Sequence, residues 1–526
     1  MGRNSFPMRQ IMKKTLVLLL CLWIYSSCRT PQNLVKNGQA GSDLSLIFLQ
    51  INDFYEIAPV DQGNSGGAAR IASLRKKLKA ENNNTYTLLA GDFLSPSLIG
   101  TLKVDGDRVK GRQMVEALNA LGLDLATFGN HEFDIDEASL QKRINESDFN
   151  WVSTNVLHQT ADGLGPFFKE KNGARKNIPT HQIIRLGNQK GDSLRIGIIS
   201  PCINSNKASY VFYQDPAMTT GQEIEKIKGQ VELIVLLSHL TKEEDLELAK
   251  KFPEIRLIMG GHEHDHMKLT AGNAVLTKAD ANARSAYVHR IRYDSKRKIS
   301  TIQSDLVFLD RSIPLDQEVS VLVQKWKALE SKIMREMGFD PDEVLQTLGS
   351  PLDAREQTIR NTPAPFCQMI CRAMSRSSDG IDCSIMNSGS VRVDDEFKGS
   401  LSQYDIIRSL PYGGSVVKVK MKGKLLLDVL DAGWKNKGRG GYLQWDRIDH
   451  TADGQWQLDG HAIDTERIYT VCLTEYLIKG LEQGLDFLKA GNPSLISVEE
   501  PSSNNAQDLR KDIRLVVVDY LKKGGR

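Results

Sequence analysis

Five times between Leu46 and His264, an apolar run of strand-like character stops at a carboxylate, carboxamide or imidazole. "LIFLQIND" stops at Asp53, "TYTLLAGD" at Asp92, "DLATFGNH" at Asn130 and His131, "VELIVLLSH" at His239, and "IRLIMGGHEH" at His262 and His264. Helical periodicity fills the intervals. Ile71, Leu74 and Leu78 share one side of "GGAARIASLRKKLKA", and "GRQMVEALNALG" repeats the pattern and stops at a glycine. Alternation of this kind builds a layered α/β domain. In open α/β sheets, ligands collect beyond the carboxyl ends of the strands. A single "GD" or "SH" ending is an ordinary turn, but five in chain order are hard to obtain from folding needs alone. Glycines 91, 129, 260 and 261 permit the sharp turns that would aim these side chains.

Imidazole, carboxylate and amide without thiolate suit borderline divalent ions such as zinc, manganese or iron. Six or so donors exceed what one tetrahedral ion needs, so a pair of ions is expected. Two ions roughly 3.5–4 Å apart steady the attacking and leaving oxygens of an in-line displacement. That is equipment for phosphoester hydrolysis.

At 526 residues the chain is too long for one compact core, and two large domains or three smaller ones are expected. Residues 314–338 read as one amphipathic helix ending at a glycine. This makes 313–340 a connector helix between a first unit over 44–312 and a second α/β unit over 341–524. In the second unit "GSVVKVKMKG" alternates like a strand and "KLLLDVLDAGW" follows it with helical spacing.

Lys13-Lys14 precede "TLVLLLCLWIY", an apolar run suited to a signal-peptide core and too short to span a bilayer. The "SSC" that follows resembles a bacterial lipoprotein signal. Residues 1–28 are therefore read as an export signal, with Cys28 as the lipid anchor to a membrane. Ordinary signal-peptidase cleavage nearby is the alternative, and Met12 is an alternative start. Either reading places the body outside the cytoplasm, in the periplasm or anchored to the outer membrane. Residues 1–27 carry four basic and no acidic residues, and taking those four from the formal +3 leaves −1. A near-neutral body offers no basic field for nucleic acid. Cys202, Cys367, Cys371, Cys383 and Cys472 lack paired zinc spacing and are read chiefly as buried free thiols. No sequence feature fixes an oligomeric state.

"GDFLSPS", "GNHEFD", "SH" and "GHEH" resemble the motifs of calcineurin-like metallophosphoesterases. Downstream, "NSGSVR", "SLPYGGSVVKVKMKG" and "GGYLQ" resemble the substrate domain of the 5′-nucleotidase and UDP-sugar hydrolase family. The resemblance implies a four-layer α/β/β/α domain followed by a second α/β substrate-binding domain. It implies that Asp53, Asp92 and His264 hold a first metal, and Asp92, Asn130, His239 and His262 a second. His131 would face the phosphoryl group and Asp134 would hold its ring. Arg392 would face the substrate from the second domain, with Arg360 and Arg355 as weaker matches. Tyr412, Tyr442 and Tyr476 are candidate surfaces for a nucleobase. The implied reaction is 5′-nucleotide hydrolysis. UDP-sugars, 2′,3′-cyclic nucleotides, or nucleotide binding by a lipoprotein with an impaired metal site are the alternatives.

Two departures stand out. Tyr55 occupies the place of the histidine in the family's Asp-x-His pair. It is either a phenolate ligand favouring an iron-like ion or a side chain turned away from the metal. "TEYLIKGLEQGLDFL" at 474–488 lacks the family's "GGDGY"-like turn. Either Tyr476 with Glu482 or Asp486 takes over that role, or the stretch is a plain amphipathic helix.

Overall fold

A computed structural model describes residues 1–2, 35–37 and 43–525, apart from 190, 207, 503–504 and 506. Residues 3–28 of the expected export signal, Cys28 included, lie outside the described residues. Strands β1 (Asp43–Ile51), β2 (Thr85–Leu89) and β3 (Leu125–Thr127) run parallel within a six-stranded sheet. Strands β4 (Leu233–Ser238) and β5 (Ile255–Gly260) run parallel within a seven-stranded sheet. Parallel neighbours need crossover connections, and here helices provide them, so the carboxyl ends of each set emerge on one edge.

The register of β1 explains its uninterrupted apolar sequence. Leu44, Leu46 and Phe48 point between the sheets, where they meet Ile196, Val235 and Leu257. Ile47, Leu49 and Ile51 point the other way, onto α1 (Ala68–Glu81) and α2 (Arg112–Leu121). A strand buried on both faces has no polar alternation. On the far side, Ile234, Leu236 and Ile258 pack against Ile224 and Leu248 of the helices Pro216–Ile227 and Lys242–Lys251. Helix, sheet, sheet and helix thus stack in four layers.

The long helix α3 (Gln317–Glu336) is N-capped by Asp316, whose side chain accepts from the Val319 N–H. Val319, Val323 and Trp326 enter the first-domain core, and Met334 enters the core of the second. The second domain is built on a five-stranded sheet with the spatial order 443–446, 383–387, 468–474, 416–422, 495–499. The helices Pro365–Arg376 and Ile513–Lys522 belong to the core on one face, and Gly423–Lys435 to that on the other. All five body cysteines are buried and unpaired. Residues 474–488 form one short helix, Glu475–Ile478, followed by turns, not an extended amphipathic helix. No helix among the described residues is long and apolar enough to cross a membrane.

Candidate metal centre

Three of the five strand ends turn into left-handed backbone to deliver a side chain. Asp53, Asp92 and His262 have φ of 48°, 57° and 82°. Side chains enter that left-handed region at a cost of order 1–3 kcal/mol each, which the surrounding fold must hold in place. Two glycines are required by close approach. A Cβ on Gly129 would stand 2.1 Å from Asp92 Oδ1, and one on Gly261 would stand 2.4 Å from the Ala90 carbonyl oxygen.

Asp53, Asp92 and His239 are buried, and each brings one donor atom within 4.8 Å of the others. Asp92 Oδ2 lies 3.2 Å from His239 Nε2 and 3.2 Å from Tyr55 Oη. Asp53 Oδ1 lies 3.3 Å from Tyr55 Oη and 3.5 Å from His264 Nε2. The His262 N–H donates to Asp53 Oδ2 at 2.9 Å, and its ring packs edge-on to His239 with centroids 5.4 Å apart. Asn130 is joined to the group through its neighbour, since the His131 N–H donates to Asp92 Oδ1 at 2.7 Å. Asp53, Asp92, His239 and His264 thus meet side chain to side chain, with Tyr55 among them, while His262 and Asn130 are joined to the group through backbone and ring contacts.

These residues fit divalent metal. Asn130 Oδ1 and His239 Nε2 are buried without a hydrogen-bond partner, a state that costs free energy unless something occupies the lone pair. His239 Nδ1 donates to the Ala90 carbonyl at 2.7 Å, which aims Nε2 at the centre; burial disfavours the charged ring, but Asp92 raises it to about 9, so an ion binding at Nε2 would displace a proton. Burial and the nearby His239 push His262 down to about 3, so its ring is neutral. Burial opposes ionisation of Asp92, but the His239 and His131 charges hold it well below the carboxylate range.

Tyr55 is informative by distance. Its hydroxyl lies 3.2–3.3 Å from Asp92 Oδ2, Asp53 Oδ1 and His264 Nε2. A group sitting where an ion would sit would be at about 2.1 Å from them. Ligands sharing an ion with bonds of about 2.1 Å are separated by about 3.0 Å in an octahedron and about 3.4 Å in a tetrahedron. The hydroxyl thus stands beside an ion position rather than on it, at a spacing that a fellow ligand shares with a phenol hydrogen-bonded to Asp53 and Asp92, as here. Burial, then the Asp92 and Asp53 charges, push its pKa well above 10, so only a cation would ionise it.

His131 opens and Asp134 closes the 3₁₀ turn after β3. Asp134 Oδ2 holds His131 Nδ1 at 2.7 Å and is itself fixed by Ser95 and Asn206. Burial disfavours the imidazolium, but Asp134 and Asp92 more than offset this and raise the His131 pKa. A cleft runs past these groups, lined by Tyr55, His131 and His264 from the first domain and by Glu356, Arg360, Arg392 and Asp394 from the second. Arg392 Nε has no hydrogen-bond partner, and its guanidinium lies 5.7 Å from the centre of the Tyr412 ring. Arg355 is engaged by Asp353 within its own domain and does not line the cleft. Tyr412 and Tyr476 are half exposed, and Tyr476 donates to the Leu481 carbonyl. Tyr442 is a correction. It is fully buried among Trp434 and Trp445 and offers no face to a base.

Three residues that sequence reasoning passed over shape the centre. Glu132 is fully buried and accepts from the N–H groups of Asp92, Phe93, Leu94 and Gly129. It ties together the two turns that carry Asp92 and Asn130. Lys278 is also fully buried, donates to the carbonyls of Leu240 and Gly261, and pairs with Asp245 and Glu263. It ties the turn after His239 to the one before His262. Asp394, from the second domain, contacts His264.

Stacked sheets whose strand ends gather carboxylates and imidazoles define the calcineurin-like phosphoesterase class, and the family model of that description matches residues 46–266. The model described as the 5′-nucleotidase C-terminal domain matches residues 343–490. Carrying both in this order, the chain belongs to the 5′-nucleotidase family. It is 25% identical over 419 residues to a trifunctional nucleotide phosphoesterase of Bacillus subtilis (strain 168), across 73% of this chain and 28% of that one. It is 24% identical over 401 residues to a 5′-nucleotidase of Bos taurus, across 69% of this chain and 65% of that one. The match thus spans less than two thirds of either relative. Among solved structures, a 5′-nucleotidase precursor from Thermus thermophilus superposes with a TM-score of 0.70 at 19% identity, covering 91% of this chain and 96% of that one. A sulfate thiohydrolase from the same species gives 0.64 at 12% identity, covering 95% and 96%. At those identities the likeness is one of fold.

Proposed function

We propose that the protein is a two-metal 5′-nucleotidase that releases phosphate from nucleoside monophosphates outside the cytoplasm. The observation that carries this reading is the pair of buried, unpartnered donors, Asn130 Oδ1 and His239 Nε2, beside two buried aspartates at a cleft that also contains Arg360 and Arg392. Asp53, Asp92, His264 and Tyr55 hold one ion, and Asp92, Asn130, His239 and His262 the other. Bound there, manganese, zinc or iron supplies an activated water and neutralises phosphoryl charge. His131, kept protonated by Asp134, donates to a phosphoryl oxygen as charge builds in the transition state. Arg392 and Arg360 orient the phosphate. Tyr412 and Tyr476 flank the nucleoside. Export and a lipid anchor on Cys28 rest on the sequence of residues 13–28.

The test is phosphate release from AMP by chelator-stripped protein to which manganese, zinc or iron is restored separately. Release that returns with metal supports the reading. Release from UDP-sugar or 2′,3′-cyclic nucleotide, with none from AMP, moves the substrate to that ester. No release from any of them with any metal refutes it. A visible phenolate-to-metal absorption in the ferric protein, absent from Tyr55→Phe, identifies Tyr55 as a ligand.

A further inference from the structure

The second domain reaches the proposed metal centre through two carboxylates at His264. Asp394 Oδ2 lies 2.9 Å from His264 Nδ1, across a sequence separation of 130 residues. The carboxylate is itself held, since its Oδ1 accepts from the Glu356 N–H at 2.8 Å. Glu356 Oε2 stands 3.8 Å from the same imidazole nitrogen. The opposite ring nitrogen, Nε2, faces Asp53 and Tyr55. A ligating histidine needs a partner on its far nitrogen to fix tautomer and ring orientation and to raise its basicity. His239 finds that partner in its own domain, at the Ala90 carbonyl. No hydrogen bond from the first domain reaches His264 Nδ1 among the described residues; its close partners there are carboxylates of the second domain.

The next residue fixes how the domains sit. Asp395 is buried and pairs at once with Arg284 of the first domain and Arg408 of the second. Arg284 in turn pairs with Asp61. Adjacent aspartates therefore do two jobs: Asp395 locks the two domains together, and Asp394 orients a ligand of the first.

We propose that the second domain completes the first metal site, with Asp394 as the positioning residue for His264, so that the first ion is held at full strength only while the Asp395–Arg284 pair keeps the domains in this arrangement. This rests on the reading of His264 as a metal ligand. Affinity for one of the two ions is thereby coupled to domain position, and the other, held wholly by first-domain groups, is not.

The experiment is a stepwise Mn²⁺ titration of the chelator-stripped full chain, with free ion followed by electron paramagnetic resonance. The native chain should bind two ions. Asp394→Ala should weaken one of them by roughly 10–100-fold and leave the other within about twofold. Arg284→Gln, which touches none of the proposed ligands, should weaken the same ion to a smaller extent. If Asp394→Ala changes neither ion, or weakens both equally with the melting temperature intact, the proposal is overturned while the metal reading stands. If Arg284→Gln leaves both unchanged, the coupling to domain position is overturned. A native chain that binds no Mn²⁺ overturns the metal reading and this proposal together.

Discussion

Replacing Glu132 with glutamine keeps the side-chain volume and removes half of its accepting capacity. Oε1 accepts from the Phe93 N–H at 2.7 Å and the Leu94 N–H at 3.1 Å, and Oε2 accepts from the Asp92 N–H at 2.9 Å and the Gly129 N–H at 2.6 Å. Burial and the Asp92 charge push this carboxyl up to about 7, and the N–H bonds pull the other way. A carboxamide presents one oxygen and one NH₂. Whichever way it turns, two buried N–H groups face a donor instead of an acceptor. Each buried donor left unsatisfied costs roughly 1–3 kcal/mol, so the loss is about 4 kcal/mol. For a domain of this size, about 2–4 °C of melting temperature goes with each kcal/mol, and the expected fall is near 10 °C. Differential scanning calorimetry of the chelator-stripped protein is the assay. The first-domain transition should be followed separately, because a two-domain chain need not unfold in one step. A fall of less than about 2 °C would refute the argument that this carboxylate organises the two turns.

His131→Asn should lower kcat by roughly 10²–10³-fold, the scale expected for one lost charge-stabilising donor, with metal content unchanged; steady-state phosphate release with metal analysis checks both. Lys278→Met leaves Asp245 buried without its countercharge and should cost about 3–5 kcal/mol in urea unfolding, so a cost under about 1 kcal/mol would show that the pair is dispensable. Glu56 gives a pH prediction. Burial and then the Glu330 charge, against Lys327 and Arg408, raise its pKa from 4.5 to about 7. The folded protein therefore binds more protons than the unfolded chain between those values, and stability falls as pH rises through the window, by at most about 3 kcal/mol. Glu56→Gln should match the native protein at pH 4 and exceed it at pH 8; parallel stability curves would contradict this.

The candidate ligands were legible as candidates because each closely follows its strand in sequence. Strand burial and ligand position are then one local pattern. Glu132 stands inside the same "GNHEFD" stretch, yet its partners are backbone N–H groups, which no side-chain pattern displays. Asp394 was illegible for a different reason. Its partner is 130 residues away in another domain, and nothing local encodes how two domains sit. Tyr442 misled because an aromatic after two glycines looks like an open platform. It precedes the strand Leu443–Asp446, and the ring turns inward onto Trp434 and Trp445. Tyr55 was visible as an oddity, but its distance to three other donors required coordinates.

The centre draws on the ends of both sheets of the first domain, β1 to β3 in one and β4 and β5 in the other. That arrangement sets a timetable. A chain made from its amino terminus at about 5–20 residues per second exposes Asp53 well before His262, which follows 209 residues later. During that interval neither half holds a full set of donors. The sheet that carries Asp53 is itself completed by the strand Ser285–Asp294, so the centre exists only once both sheets are in place. Any metal that binds there is then a guest of the assembled domain, and the chelator-stripped chain should remain folded.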